Sequence, residues 1–217
     1  VREIGVRRLA RRAAADAAAV RTALGDRPLV VASTALAWGD RTDGPAGEDD
    51  PERPLSLALP ALAAERALAH PGLRVVRLPW VYGDGGLLHQ VGWALAHGRY
   101  RVVGPGDNRW ALISAEDAAA ALILAADADP GVYAVAEPDA PTQGAVVAAF
   151  CSRPGVRRPD HVPVGLASLA MGRAMSRALA ASLELRPGRL ADLGWSPSAD
   201  WRRDLLSRTG RPRPGAG

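Results

Sequence analysis

Ser33 and Thr34 are neighbouring hydroxyls at the end of an apolar run, Leu29-Val30-Val31-Ala32. If that run is a buried parallel strand, the two stand at its C-terminal end, where ligands collect in open α/β sheets. There they either hydrogen-bond a substrate oxygen or cap the following loop. Tyr82 and Asp84 follow a second such run, Leu73-Arg74-Val75-Val76-Arg77-Leu78. They can face the same cleft with Tyr82 as an acid, or be a packed aromatic and a turn aspartate. His89, just past the glycine turn, can reach that cleft as well. These five residues form the candidate catalytic set. Asn108, Arg109 and Trp110 put an amide, a cation and a flat apolar face on one loop, which suits an anionic or ring-bearing ligand. Trp38 and Trp80, both at strand ends, either line the cleft mouth or pack in the core.

These residues need strands and helices in alternation to hold them. Residues 2–24 read as a helix of strong formers ending at Gly25, and residues 28–33 as a buried strand. The stretch 39–56 is rich in Gly and Pro and carries Glu48-Asp49-Asp50, signs of a surface loop. A helix over 57–70 and a strand over 73–78, halted by Pro79, make a second α/β unit. A Gly-rich turn at 83–86 leads to a helix at 87–97, a strand at 100–103 and a loop at 104–110. Beyond it lie a helix from Ser114 or Ala115 to about Ala126, a strand over 131–136 and a helix over 142–151. Helices near 164–181, 187–193 and 199–207 complete the chain before an Arg/Pro/Gly tail from 210, expected to be disordered.

Composition narrows the function. With 217 residues, 48% of them hydrophobic, the chain can bury one sizeable core, or a core with a small lobe. Every one of the 27 basic residues is arginine, and these are scattered, with Arg7, Arg8, Arg11 and Arg12 on one predicted helix. A solvated helical face explains that group better than a nucleic-acid surface does. The single cysteine, Cys151, excludes an internal disulfide and reads as a buried, inert thiol. No Cys/His set has metal-ligand spacing, so no metal is expected. The absence of a membrane-length apolar run or a signal-like opening gives the expectation of a soluble, cytoplasmic protein. The Ala/Arg/Gly/Pro bias with no lysine suggests a GC-rich bacterial gene.

Four short strings, in order, resemble the extended and atypical short-chain dehydrogenase/reductases, the NAD-dependent epimerase/dehydratase group. Leu29 to Gly39 resembles its strand that ends in a Ser/Thr pair and a VYG-like turn, with Trp38 replacing the tyrosine. Arg74 to Gly83 resembles the RP…VYG turn that runs beneath the nicotinamide ribose. Asn108 to Ala119 resembles the substrate-lobe stretch that ends in an aspartate-led helix, and Arg189 to Pro197 the LGW.P helix stop. The resemblance implies a Rossmann-like parallel sheet, its first strands absent from this chain, with a small C-terminal α/β substrate lobe. The expected division is 1–83 for the remainder of the Rossmann-like domain, 84–209 for the last core elements and substrate lobe, and 210–217 for a flexible tail.

Two departures bear on chemistry. Aligned with the family's Tyr-x-x-x-Lys helix, Leu57 stands at the tyrosine position and Ala61 at the lysine position, and the chain contains no lysine to lower a tyrosine pKa. No glycine fingerprint follows a strand and opens a helix, so NAD(P) is implied only if an upstream segment or partner supplies one. The absent strands would leave an apolar sheet edge for a second copy or a partner chain to cover. The expectation is a bacterial, secondary-metabolism enzyme acting on a sugar derivative or natural-product intermediate by non-redox cyclisation, dehydration or isomerisation. A non-catalytic binding or scaffold subunit, and an NAD(P)-dependent oxidoreductase or epimerase completed upstream, are the alternatives.

Overall fold

The computed structural model describes residues 3–83 and 87–208. The chain opens with α1, Glu3–Leu24, which stops at Gly25 in the left-handed region at φ 62°. β1, Leu29–Thr34, follows, and its last residue caps a short 3-10 turn by accepting the Leu36 N–H on Thr34 Oγ1 at 3.2 Å. A second 3-10 turn, Ser56–Ala58, runs into α2, Leu59–Leu68, with Pro60 in the first turn, where its missing N–H costs nothing. β2, Leu73–Leu78, pairs in parallel with β1, and β6, Gly131–Ala134, pairs in parallel with β2 on the other side.

The three strands make a sheet in the order β1-β2-β6. Side chains alternate across it. Val76 and Leu78 pack on the small side chains Ala118, Ala121 and Ala125 of α4, Ala115–Asp127, whereas Arg77 turns to the other face and meets α2. Ser114 starts α4 by accepting the Asp117 N–H at 2.9 Å, which satisfies an otherwise orphan donor.

Pro79 ends pairing in this sheet, but the strand expected to halt there resumes one residue later. β3, Trp80–Tyr82, pairs in parallel with β5, Leu112–Ser114. α3, Leu87–Ala96, and α5, Gln143–Cys151, lie in a second core with Val91, Leu95, Trp110, Leu112 and Phe150. Between α3 and β5 sits β4, Val102–Val103, whose partner is β7, His161–Val162, a strand that the sequence reading lacked. The single helix expected near 164–181 is two, α6, Val164–Met171, and α7, Arg173–Ala180, broken at Gly172, whose φ of 86° no helix accommodates. α8, Arg189–Asp192, and α9, Trp201–Arg208, end the described chain.

The free edge of β6 is met by side chains. Glu48 accepts the Ala134 N–H at 3.2 Å, and Arg189 donates to the Val132 carbonyl at 3.1 Å. Such charged side chains blunt a strand edge against further pairing. No strand among the described residues pairs with the outer edge of β1.

Candidate functional site

A cavity of about 410 Å³ opens at the C-terminal ends of β1 and β2. Ser33 and Thr34 form one wall, Leu57 and Ala61 a second, and Leu78 and Trp80 a third. Leu57 and Ala61 share a wall because they are four residues apart where the 3-10 turn enters α2. Pro79 frees the backbone between the two sheets, so Trp80 swings to the cavity while its N–H bonds the Ala111 carbonyl at 3.1 Å. Trp80 rests on Trp110 at 5.8 Å between ring centroids, tilted by 48°.

Behind Ser33 lies a buried charge cluster. Glu65, one turn beyond Ala61, accepts the Ser33 hydroxyl. The Arg77 guanidinium donates to Glu65 at 2.8 Å and to Glu52, and lies 5.0 Å from the Trp38 ring centre. Burial alone would weaken the Arg77 charge, but bonds to Glu65 and Glu52 outweigh it and hold the guanidinium protonated. Neither Glu65 nor Arg77 was singled out as a site residue from the sequence. The available signal was a charged residue inside an otherwise apolar strand, which requires a buried partner.

Of the other candidates among the described residues, only Trp80 reaches this cavity. Trp38 does not line the mouth; it is fully buried beneath Arg77. Tyr82 does not line the cavity. Its hydroxyl is buried and bonds Glu137, whose other oxygen accepts the Trp201 N–H at 3.1 Å. Burial, then the Glu137 hydrogen bond and charge, push the Tyr82 phenol upward, so it holds its proton. His89 is exposed on α3 and is not in the cavity wall. Asp84 lies outside the described residues.

The Asn108-Arg109-Trp110 loop faces the chain instead of a ligand. The Asn108 amide donates to the Leu179 and Ala181 carbonyls at 2.9 and 3.0 Å, and Trp110 Nε1 donates to Leu179 at 3.1 Å. Arg109 is exposed, bonded to the Ala140 carbonyl at 2.9 Å and 3.4 Å from Glu184. The loop thereby seats residue 183 beside Ala111, and both complete the cavity wall. Cys151, read as buried, is half-buried; burial raises its thiol pKa.

Solved structures share this architecture. A human epimerase family protein solved with NADPH matches with a TM-score of 0.78 at 20% identity, over 91% of this chain and 72% of its own. A UDP-glucose 4-epimerase from Thermotoga maritima, solved with UDP-glucose, gives 0.72 at 18% identity, over 95% of this chain and 72% of the epimerase. The fold is that of an extended short-chain dehydrogenase/reductase. A functionally unknown conserved protein from Silicibacter pomeroyi matches this dehydrogenase/reductase fold too, at 0.69 and 25% identity, over 88% of this chain and 71% of that one. No protein-family model and no curated protein sequence matches the chain.

A nicotinamide dinucleotide, the cofactor this fold implies, carries a pyrophosphate that needs clustered backbone N–H groups or cations. The cavity offers the Ser33 and Thr34 hydroxyls among apolar side chains, and Arg77 is already bound to two carboxylates. The described residues do not fit the charged part of that cofactor. Among them, no His/Cys/Asp/Glu group can hold a metal ion, and no helix is long and apolar enough to cross a membrane.

Proposed function

We propose that this chain is a short-chain-dehydrogenase-like enzyme that binds a small molecule in the cavity at the ends of β1 and β2 and transforms it without hydride transfer. The observation that carries this reading is the wall formed by Leu57 and Ala61. These two stand where the family's tyrosine and lysine align, and both face the cavity next to Ser33 and Thr34. Neither side chain can exchange a proton. What remains is shape and two hydroxyls, which suits cyclisation, dehydration or isomerisation of a sugar derivative or natural-product intermediate. The bacterial and secondary-metabolism setting belongs to the same proposal.

The test is incubation of the purified chain with NAD⁺ and candidate alcohols, UDP-glucose included, monitored by reduced-nicotinamide absorbance. No hydride transfer is expected. Sustained formation of NADH that scales with enzyme would overturn the reading and favour an oxidoreductase or epimerase.

A second reading is a binding or scaffold subunit, and the outer edge of β1 favours it. That edge is unpaired among the described residues. Elsewhere, α1 packs on α2 and leaves Ile4 and Leu9 exposed at 83% and 52%. A second copy or a partner chain lying on either would cover it. Analytical ultracentrifugation distinguishes the cases: a monomer at high micromolar concentration removes the self-association form, and failure to recover a stable heterocomplex removes the other.

A further inference from the structure

The cavity also restricts the chemistry of what can enter it. Its wall consists of Ser33, Thr34 and eleven further residues, each of them an aliphatic, proline or tryptophan side chain. Among the described residues, no charged side chain lines it. Arg77, joined to Ser33 through Glu65, is bound to Glu65 and Glu52, and Arg109 lies outside the wall on Ala140 and Glu184. An anionic group placed here would lose its hydration and find no counter-charge.

The two hydroxyls are not equivalent. Ser33 commits its one proton to Glu65, so its oxygen can only accept from a ligand. Thr34 already accepts the Leu36 N–H, which leaves its own proton available to donate. Together they suit a neutral hydroxyl or carbonyl group on an apolar body, with the Trp80 ring as a flat surface. The volume of about 410 Å³ is that of a small-molecule site.

We propose that this cavity takes an uncharged, largely apolar small molecule bearing a hydroxyl or carbonyl group, and that it discriminates against carboxylates and nucleotide sugars. This rests on the reading of the cavity as the working site. It narrows the substrate class away from the nucleotide-linked sugar seen with the Thermotoga epimerase.

The experiment compares three probes on the full chain: 2-acetonaphthone, 2-naphthoate of matched shape, and UDP-glucose. Binding is read from the shift of the Trp80 indole N–H in the nuclear magnetic resonance spectrum, assigned with Trp80→Phe. The ketone is expected to bind at least about tenfold more tightly than the carboxylate, in line with the cost of burying an unpaired charge. UDP-glucose is expected to leave Trp80 unmoved. Ala61→Arg should reverse the order of ketone and carboxylate; should that variant not fold, the wild-type comparison stands alone. Equal binding of the two naphthalenes, a UDP-glucose shift at Trp80, or no shift with the ketone would each overturn the proposal. Equal binding without hydride transfer removes only this substrate class, whereas a ketone preference together with NADH formation from an apolar alcohol removes only the non-redox reading.

Discussion

Ser33 and Arg77 face each other across the β1–β2 register, and both reach the same carboxylate, that of Glu65. A hydroxyl at the cavity wall is thus tied through one glutamate to an arginine that is 4% exposed. The cluster fixes where α2 sits on the sheet and, with it, where Leu57 and Ala61 stand.

Removing one member of this cluster is expected to cost far more than removing the pair. Arg77→Met leaves Glu65 charged and buried, a loss of about 3–5 kcal/mol. Arg77→Met combined with Glu65→Leu should recover most of it, because apolar replacement of a buried ion pair is close to neutral. Arg77→Lys should stay destabilised, since an ammonium lacks the planar fork that binds two carboxylates. Urea denaturation of the singles and the double, read as a cycle, checks this. A double variant less stable than both singles would disprove the account.

The opposite pH behaviour of two carboxyls in one clasp gives a second prediction. Glu137 holds the Trp201 N–H, while Asp117 holds the Ser198 and Ala199 N–H groups at 3.0 and 3.1 Å. Burial raises the Glu137 carboxyl, only partly offset by hydrogen bonds from Tyr82 and Trp201. Burial also acts upward on Asp117, but bonds from Ser198, Ala199 and Ser114 outweigh it and hold that carboxyl low. A raised acid contributes stability present below its unfolded pKa, about 4.3 for glutamate, and lost as pH rises through the folded value. A lowered acid contributes stability present above its unfolded pKa, about 3.9 for aspartate, and lost as pH falls through the folded value. Relative to wild type, Glu137→Gln should therefore gain as pH rises, and Asp117→Asn should gain as pH falls below that range. Denaturation at a series of pH values checks both, and parallel curves for wild type and Glu137→Gln would count against the first.

Much of this architecture is legible locally. The strand Leu73-Arg74-Val75-Val76-Arg77-Leu78 and the break at Gly25 are carried by residues close in sequence. The position of Ser33 and Thr34 at the end of β1 is legible because a strand end is a local signal. β3 was hidden because Pro79 reads as a stop, whereas its pairing partner Ile113 lies 32 residues beyond Val81. The Tyr82–Glu137 and Asn108–Leu179 bonds span 55 and 71 residues, so neither spacing nor periodicity announces them. The same residues, read without their partners, resembled an acid and a ligand clamp.

Glu48 provides a third prediction. One of its oxygens accepts the backbone N–H groups of Ala134, Gly188 and Arg189 at 3.1–3.2 Å, joining the acidic loop to the edge of β6 and the start of α8. Glu48→Ala leaves three donors to find water or stay unpaired, at about 1–3 kcal/mol for a buried one. Amide hydrogen exchange should accelerate at these three positions and stay unchanged at Val75 and Val76 in the central strand. Uniform acceleration across the sheet would mean that the clasp supports global stability instead of the edge.

Asn108 separates a ligand contact from a scaffold contact. Its amide bonds two backbone carbonyls at the end of α7, and the segment so held brings residue 183 to the cavity beside Ala111. Asn108→Ala deprives the Ala181 carbonyl of its side-chain donor and leaves the Leu179 carbonyl with Trp110 Nε1 alone, and a loss of about 1–3 kcal/mol is expected. Affinity of the folded variant for a neutral cavity ligand should change by less than about threefold, because a buried bond made entirely within the chain contributes equally with and without ligand. Denaturant midpoints and titration of 2-acetonaphthone, performed on the same preparations, measure the two quantities. A loss of affinity beyond about tenfold with unchanged stability would restore Asn108 as a ligand contact. The opposite pattern assigns it to the scaffold that holds the wall.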